Sequence, residues 1–247
     1  MACRVSRGSP IIGATRYHYR TRQSINMMMS ASRPSPAQPA TPTRAPGRPK
    51  DADKRAAILE AAKQLFVQHG YAGVSMDQIA AAAGVSKLTL YSHFGDKDNL
   101  FIAAVRTFCE QSVPDAVFQA RPGQDVRAHL LQVSQVFVGM ILSPEAIAGH
   151  RMLCSPQVVQ SPLPAAFWAA GPQRIQAAFT ELLDGYVARG LLNIDDTPLA
   201  ASQLVTLLKG ELHSRELFGF CCSNRETTVE QHVQACVDLF MRAYAPR

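Results

Sequence analysis

At 247 residues with 47% hydrophobic side chains, the chain has material for a packed core and room for one small and one medium domain. The formal charge of +6 is uneven: residues 1–55 hold eleven Lys or Arg against two acids, and residues 56–247 hold fourteen against seventeen. Six scattered cysteines without Cys-x-x-Cys spacing imply no disulfide framework, and no apolar run of about 18 residues offers a membrane-spanning helix, so a cytoplasmic chain without a membrane partner is expected.

Residues 1–46 have no helical period and are rich in Arg, Ser, Pro and Thr, which predicts a disordered basic arm. Residues 1–30 hold five arginines and no acid, a composition shared with organellar transit peptides. Met27, Met28 and Met29 offer alternative starts. From residue 47 onward the pattern is helical, and few stretches alternate with period two, so the expected fold class is all-α. Residues 47–97 are read as one domain and 98–247 as a second, with about nine helices in all.

The first helix carries Ile58, Ala62, Leu65, Phe66 and His69 on one stripe and stops at Gly70. Ser75 with Gln78 forms a capping box for a second helix, whose apolar face is Met76, Ile79, Ala80 and Ala83. Gly84 can turn the chain at φ > 0, and Ser86 caps a third helix with Leu90 and Phe94 facing inward. This spacing is that of a helix-turn-helix, which sets its last helix in the DNA major groove. Lys87, Leu88, Thr89, Tyr91 and His93 are left on or beside the outer face. Leu88 can only touch apolar groups such as thymine methyls, and Thr89 can reach either a base edge or a methyl. Tyr91 and His93 suit phosphate, with a structural cap beside Phe94 as the other reading of His93. Asp96 is placed to cap the fourth helix. Lys97 gains nothing from that helix's dipole, whereas a phosphate bound there would benefit from the dipole and the lysine together. Ser75 and Lys97 are therefore phosphate candidates as well.

Five further helices are expected: about 98–119, 125–142, a broken one over 145–160, a long one over 164–189, and one from Asp196 or Thr197 to Gly219. A last one starts near Thr227 or Thr228 and runs to Tyr244. The stripes of the final two, Leu204, Leu208 and Leu212 with Val233, Cys236, Val237 and Phe240, fit a dimer face or an internal core equally. His129, His150, His213 and His232 have no metal-ligand spacing, so no metal or other cofactor is expected. Neither a phosphate loop, a nucleophile elbow nor a paired His-Glu motif is present, so no enzyme is expected.

The run from Arg55 to Phe101, IL.AA..LF...GY....M..IA..AGVS..TLY.HF..K..LF, resembles the DNA-binding domain of the TetR family of bacterial transcriptional regulators. The stretch GHRMLCSPQVVQSPLPAAFWAAGPQRIQAAFTELLDGYVARGLLNIDD is similar to the AefR-like subgroup. The resemblance implies an N-terminal three-helix reading domain, a C-terminal helical ligand-binding and dimerisation domain, and a homodimer on double-stranded palindromic DNA in the nucleoid. It implies a repressor whose operator affinity a small effector modulates. It also implies an arm lying in the minor groove, here Arg48 and Lys50, with a solvated linker as the alternative. Candidate effector contacts are Phe137, Met140, Met152, Phe167, Trp168 and Phe179, an apolar set that fits a hydrophobic molecule. Two alternatives stay open: a thiol-based redox sensor using Cys221-Cys222, and a non-specific architectural DNA protein, against which the acidic balance of the second domain speaks.

Overall fold

A computed structural model describes residues 50–220 and 227–246. The expectations placed on residues 1–46, on Arg48 and on Cys221-Cys222 lie outside the described residues, as does the side chain of Lys50. Among the described residues the regular structure is helical throughout, and no single helix is long and apolar enough to cross a membrane.

The helices follow in order as α1 (Lys50–His69), α2 (Met76–Ala82), α3 (Lys87–Phe94), α4 (Lys97–Ser112), a 3₁₀ turn (Asp115–Phe118), α5 (Val126–Ile141), α6 (Pro144–Leu153), α7 (Pro156–Val159), α8 (Leu163–Ala170), α9 (Pro172–Val187), α10 (Thr197–Phe218) and α11 (Val229–Tyr244). Their starts follow local chemistry. Ser75, Ser86, Asp96, Asp125, Ser143, Asp196 and Thr228 each accept a backbone N–H of the first turn, and Ser75 and Thr228 complete capping boxes.

Prolines cut the helices shorter than the apolar stripes predict. The fourth stops at Ser112 and gives way to a 3₁₀ turn, because Pro114 disfavours a helical Val113, which sits at φ −130°. The broken helix expected over 145–160 has its break before Pro156, whereas the single helix expected over 164–189 divides at Gly171-Pro172, where Gly171 leaves helical space. α10 is broken at Gly210, whose φ of +46° and ψ of −150° lie outside helical space.

Two apolar clusters form the interior. One joins Ile58, Phe66, Ile79, Leu90, Phe94, Leu100 and Phe101 to Leu153, Val158 and Leu163, so α6 to α8 pack on the reading head. The other packs α5, α9, α10 and α11 around Leu130, Phe137, Phe179, Leu183, Leu204, Leu208 and Val237. The stripes of the last two helices are thus spent inside the chain. A different row, Leu199, Leu207 and Leu239, is exposed. The buried His129 is structural: Nδ1 lies 2.5 Å from Tyr186 Oη, and Nε2 lies 2.8 Å from the Val117 carbonyl.

α4 ties the two clusters together. At its start, Lys97 Nζ donates to the carbonyls of Tyr71 (3.0 Å) and Val74 (3.1 Å) and sits 4.1 Å above the Tyr71 ring. At its end, Arg174 of α9 donates to the Cys109 and Val113 carbonyls at 3.1 and 3.0 Å and pairs with Asp115. Cations near a helix C-terminus satisfy the last carbonyls and complement the dipole.

Candidate DNA-reading surface and interior cavity

The turn between α2 and α3 is built from two residues. Gly84 adopts φ +65°, and the Val85 amide donates to the Ala80 carbonyl at 3.0 Å. Leu90 and Phe94 are buried beneath α3, which fixes which residues face outward. Leu88 is 81% exposed and has no place in either core. Tyr91 is 47% exposed. An exposed leucine beside an exposed tyrosine on a short, rigidly held helix is a surface able to meet base edges and backbone together.

Thr89 is half-buried, with Oγ1 2.9 Å from the Ser86 hydroxyl. Lys87 is exposed and donates to Asp77 at 2.6 Å, a surface pair that phosphate competes with at little cost. Ser75, Tyr91 and Lys97 line one shallow depression beside the capping box, so three phosphate candidates converge. Lys97 already spends two of its three N–H donors on carbonyls, and burial pulls its pKa below the usual lysine range. His93 is 12% exposed, with Nε2 3.2 Å from Asp51 of α1 and its ring tilted on Phe94. That places it at the seam between α3 and α1. The cation–π contact of Arg55 over Phe94, at 5.2 Å, supports the same seam. These partners belong to other helices, and no local pattern in α3 announces them.

The chain also encloses a cavity of about 130 Å³. Its wall takes Lys63 and Phe66 from α1 and Phe101, Val105 and Phe108 from α4. α5, α6, α8, α9 and α10 contribute most of the remainder. Phe137, Met140, Met152, Phe167 and Trp168 are all in the wall. Phe179 is not: it is fully buried in the second cluster, edge-on to Phe118 and Phe137 at 5.3 and 5.7 Å. Helical spacing cannot separate a core phenylalanine from a wall phenylalanine one turn away.

Sequence reasoning missed the polar part of the wall, namely Lys63, Glu145, His150, Gln176 and Lys209. His150 Nδ1 lies 3.2 Å from His213 Nε2, and burial, with His213 and Lys209 nearby, pulls the His150 pKa down to about 4. Lys209 is also pulled down by burial. The one available signal was that Lys209 and His213 stand four apart on a predicted helix. Cys109, in the same wall, and Cys236 are buried thiols whose pKa is raised by that burial.

Residues 58–104 match the family described as bacterial regulatory proteins, tetR family. Residues 128–246 match the AefR-like transcriptional repressor C-terminal domain. The transcriptional repressor AcnR of Corynebacterium glutamicum is 31% identical over 59% of this chain and 72% of its own length. The transcriptional activator FasR of Mycolicibacterium smegmatis is 33% identical over 56% of this chain, a match spanning 62% of FasR. Among solved structures, the flavonoid-responsive regulator FrrA superposes with a TM-score of 0.63 at 29% identity, covering 79% of this chain and 99% of FrrA. With the helix-turn-helix, the cavity-bearing helical domain and these matches together, the chain belongs to the TetR family of DNA-binding transcriptional regulators.

Proposed function

We propose that this chain is a homodimeric repressor that reads a palindromic operator through α3 and releases it when an apolar small molecule enters the cavity. The observation that carries the reading is the composition of the cavity wall. It joins α1 and α4 of the head to the helices of the second cluster, so an occupant touches both at once. An effector acts only by favouring one arrangement over another. α4 is the element it biases, pinned to the head by Lys97 and to α9 by Arg174. The relative FrrA responds to flavonoids, which favours an aromatic effector here. The exposed row Leu199, Leu207 and Leu239 on α10 and α11 is the proposed dimer face, and a two-fold axis suits paired half-sites.

On DNA, Leu88 and Thr89 discriminate bases, while Ser75, Lys87 and Tyr91 act on phosphate, joined by the one N–H that Lys97 keeps free of carbonyls; His93 holds α3 against α1 beside that surface, and Arg48 and Lys50 follow the backbone or minor groove. Fluorescence anisotropy on DNA flanking the chain's own gene, against shuffled DNA at two salt concentrations, tests this. Selective binding that Tyr91→Ala weakens by about tenfold on both DNAs supports the assignment. Equal binding to both DNAs by the unaltered protein, repeated across a genome-wide binding-site search, removes the regulator reading in favour of an architectural one.

A further inference from the structure

Among the described residues, the cavity wall holds one cation that has neither a hydrogen-bond nor an ion-pair partner. Lys209 of α10 lines an otherwise largely apolar space among Phe137, Met140, Phe167 and Trp168, and has no hydrogen-bond or ion-pair partner among the described residues. The other charged side chains of the wall are Lys63 and Glu145. Lys63 pairs with Glu60 at 2.7 Å. Glu145 stands in the first turn of α6, where the helix dipole favours a carboxylate, and it forms no ion pair with Lys209. His150 shares a hydrogen bond with His213 and stays neutral at physiological pH, so it adds no second cation. An ammonium drawn out of water beside aromatic walls is costly until an anion meets it.

We propose that the effector is a singly charged apolar acid, a ring or short chain bearing one carboxylate, with that carboxylate held on Lys209 Nζ. This rests on the reading of the cavity as the effector site and names the chemistry it selects. The size agrees: an apolar cavity of about 150 Å³ takes one benzene ring, and this one measures about 130 Å³. The position also gives the charge a mechanical consequence. Lys209 is the last residue before the break at Gly210, where His232 Nε2 of α11 reaches the carbonyls of Leu207 (3.2 Å) and Leu208 (3.1 Å). A carboxylate drawn to Lys209 therefore pulls on the joint between α10 and α11 while its apolar body rests on α4.

Trp168 is the single tryptophan of the chain and lies in the wall, so its fluorescence reports occupancy of the cavity. The full-length protein is titrated at pH 7 with 3-phenylpropionate, 3-phenylpropan-1-ol and octanoate, with thermal unfolding as a second readout. The expected result is that phenylpropionate binds at least tenfold more tightly than the alcohol of the same shape. Lys209→Met should remove that preference and leave the alcohol's affinity unchanged, while Lys209→Arg keeps it. Glu145→Gln should strengthen acid binding. Octanoate against phenylpropionate tells a chain from a ring. If acid and alcohol bind alike in the unaltered protein, or if Lys209→Met keeps the tenfold preference, the charge assignment is overturned while the cavity remains an effector site. If no probe changes fluorescence or unfolding temperature at millimolar concentration, the effector-site reading itself fails.

Discussion

The reading head and the cavity each contain a half-buried lysine, and the two are treated in opposite ways. Lys97 of the head gives its ammonium to two carbonyls and an aromatic face, all within the chain. Lys209 of the cavity has no hydrogen-bond or ion-pair partner among the described residues. Burial lowers the pKa of both. The same physical cost is therefore met internally in the region that must be rigid to read DNA, and left open in the region where a ligand would meet it. Partnered charge marks scaffold, and unpartnered charge beside an apolar space marks a place for something else.

The largest test of that contrast is pH. Unfolded, the His150 imidazole takes its proton near 6.5, and folded it does so only near 4. Between those values the unfolded chain binds the extra proton, so the stability is fully present above about pH 6.5 and is lost as pH falls towards 4. The loss comes to about 3 kcal/mol by linkage. Urea midpoints across that window should fall more steeply for the unaltered protein than for His150→Gln, and equal slopes would break the assignment.

Next in size is the lysine pair. Lys97→Ala strips the Tyr71 and Val74 carbonyls of a charged donor and should cost about 2 kcal/mol, seen as a lower unfolding temperature. Lys209→Met removes a charge that has no partner among the described residues and should leave that temperature unchanged or raise it. Reversal of that order would end the comparison. Ser75→Ala, which deletes half of a capping box, should cost about 1 kcal/mol in denaturant unfolding. The smallest effect on folding belongs to Leu88→Ala, within about 0.5 kcal/mol because the side chain touches neither core. Its effect should fall on base preference, read by competition with single-base operator variants; a destabilised protein with unchanged preference would show that Leu88 packs.

The same contrast explains what could be read from the sequence. Capping residues at Ser75, Ser86, Asp96 and Thr228, and the turn at Gly84, were legible because each acts on chain within three or four residues. The stripes Leu90 with Phe94 and Val233 with Val237 were legible for the same reason. Helix ends at Pro114 and Pro172 were overrun because apolar periodicity continues through both prolines, while the backbone does not. Trp168 and Phe167 were found in the wall by residue type alone. Lys209, His150 and Arg174 were not found, because their meaning comes from helices tens of residues away. Phe179 was misplaced since its burial depends on Phe118 and Phe137, which arrive from a 3₁₀ turn and another helix.

The broken α10 carries a consequence for inheritance. Any side chain at position 210 would place its Cβ 3.1 Å from the His232 ring, and the backbone there already sits at φ +46°, where side chains are strained. In return, His232 supplies to two carbonyls the donor that an unbroken helix would have drawn from its own backbone. Glycine at 210 and histidine at 232 are thus one trait written in two places. In descendants of this chain they should be kept together or exchanged together, and a lineage that straightens α10 should lose the histidine along with the glycine.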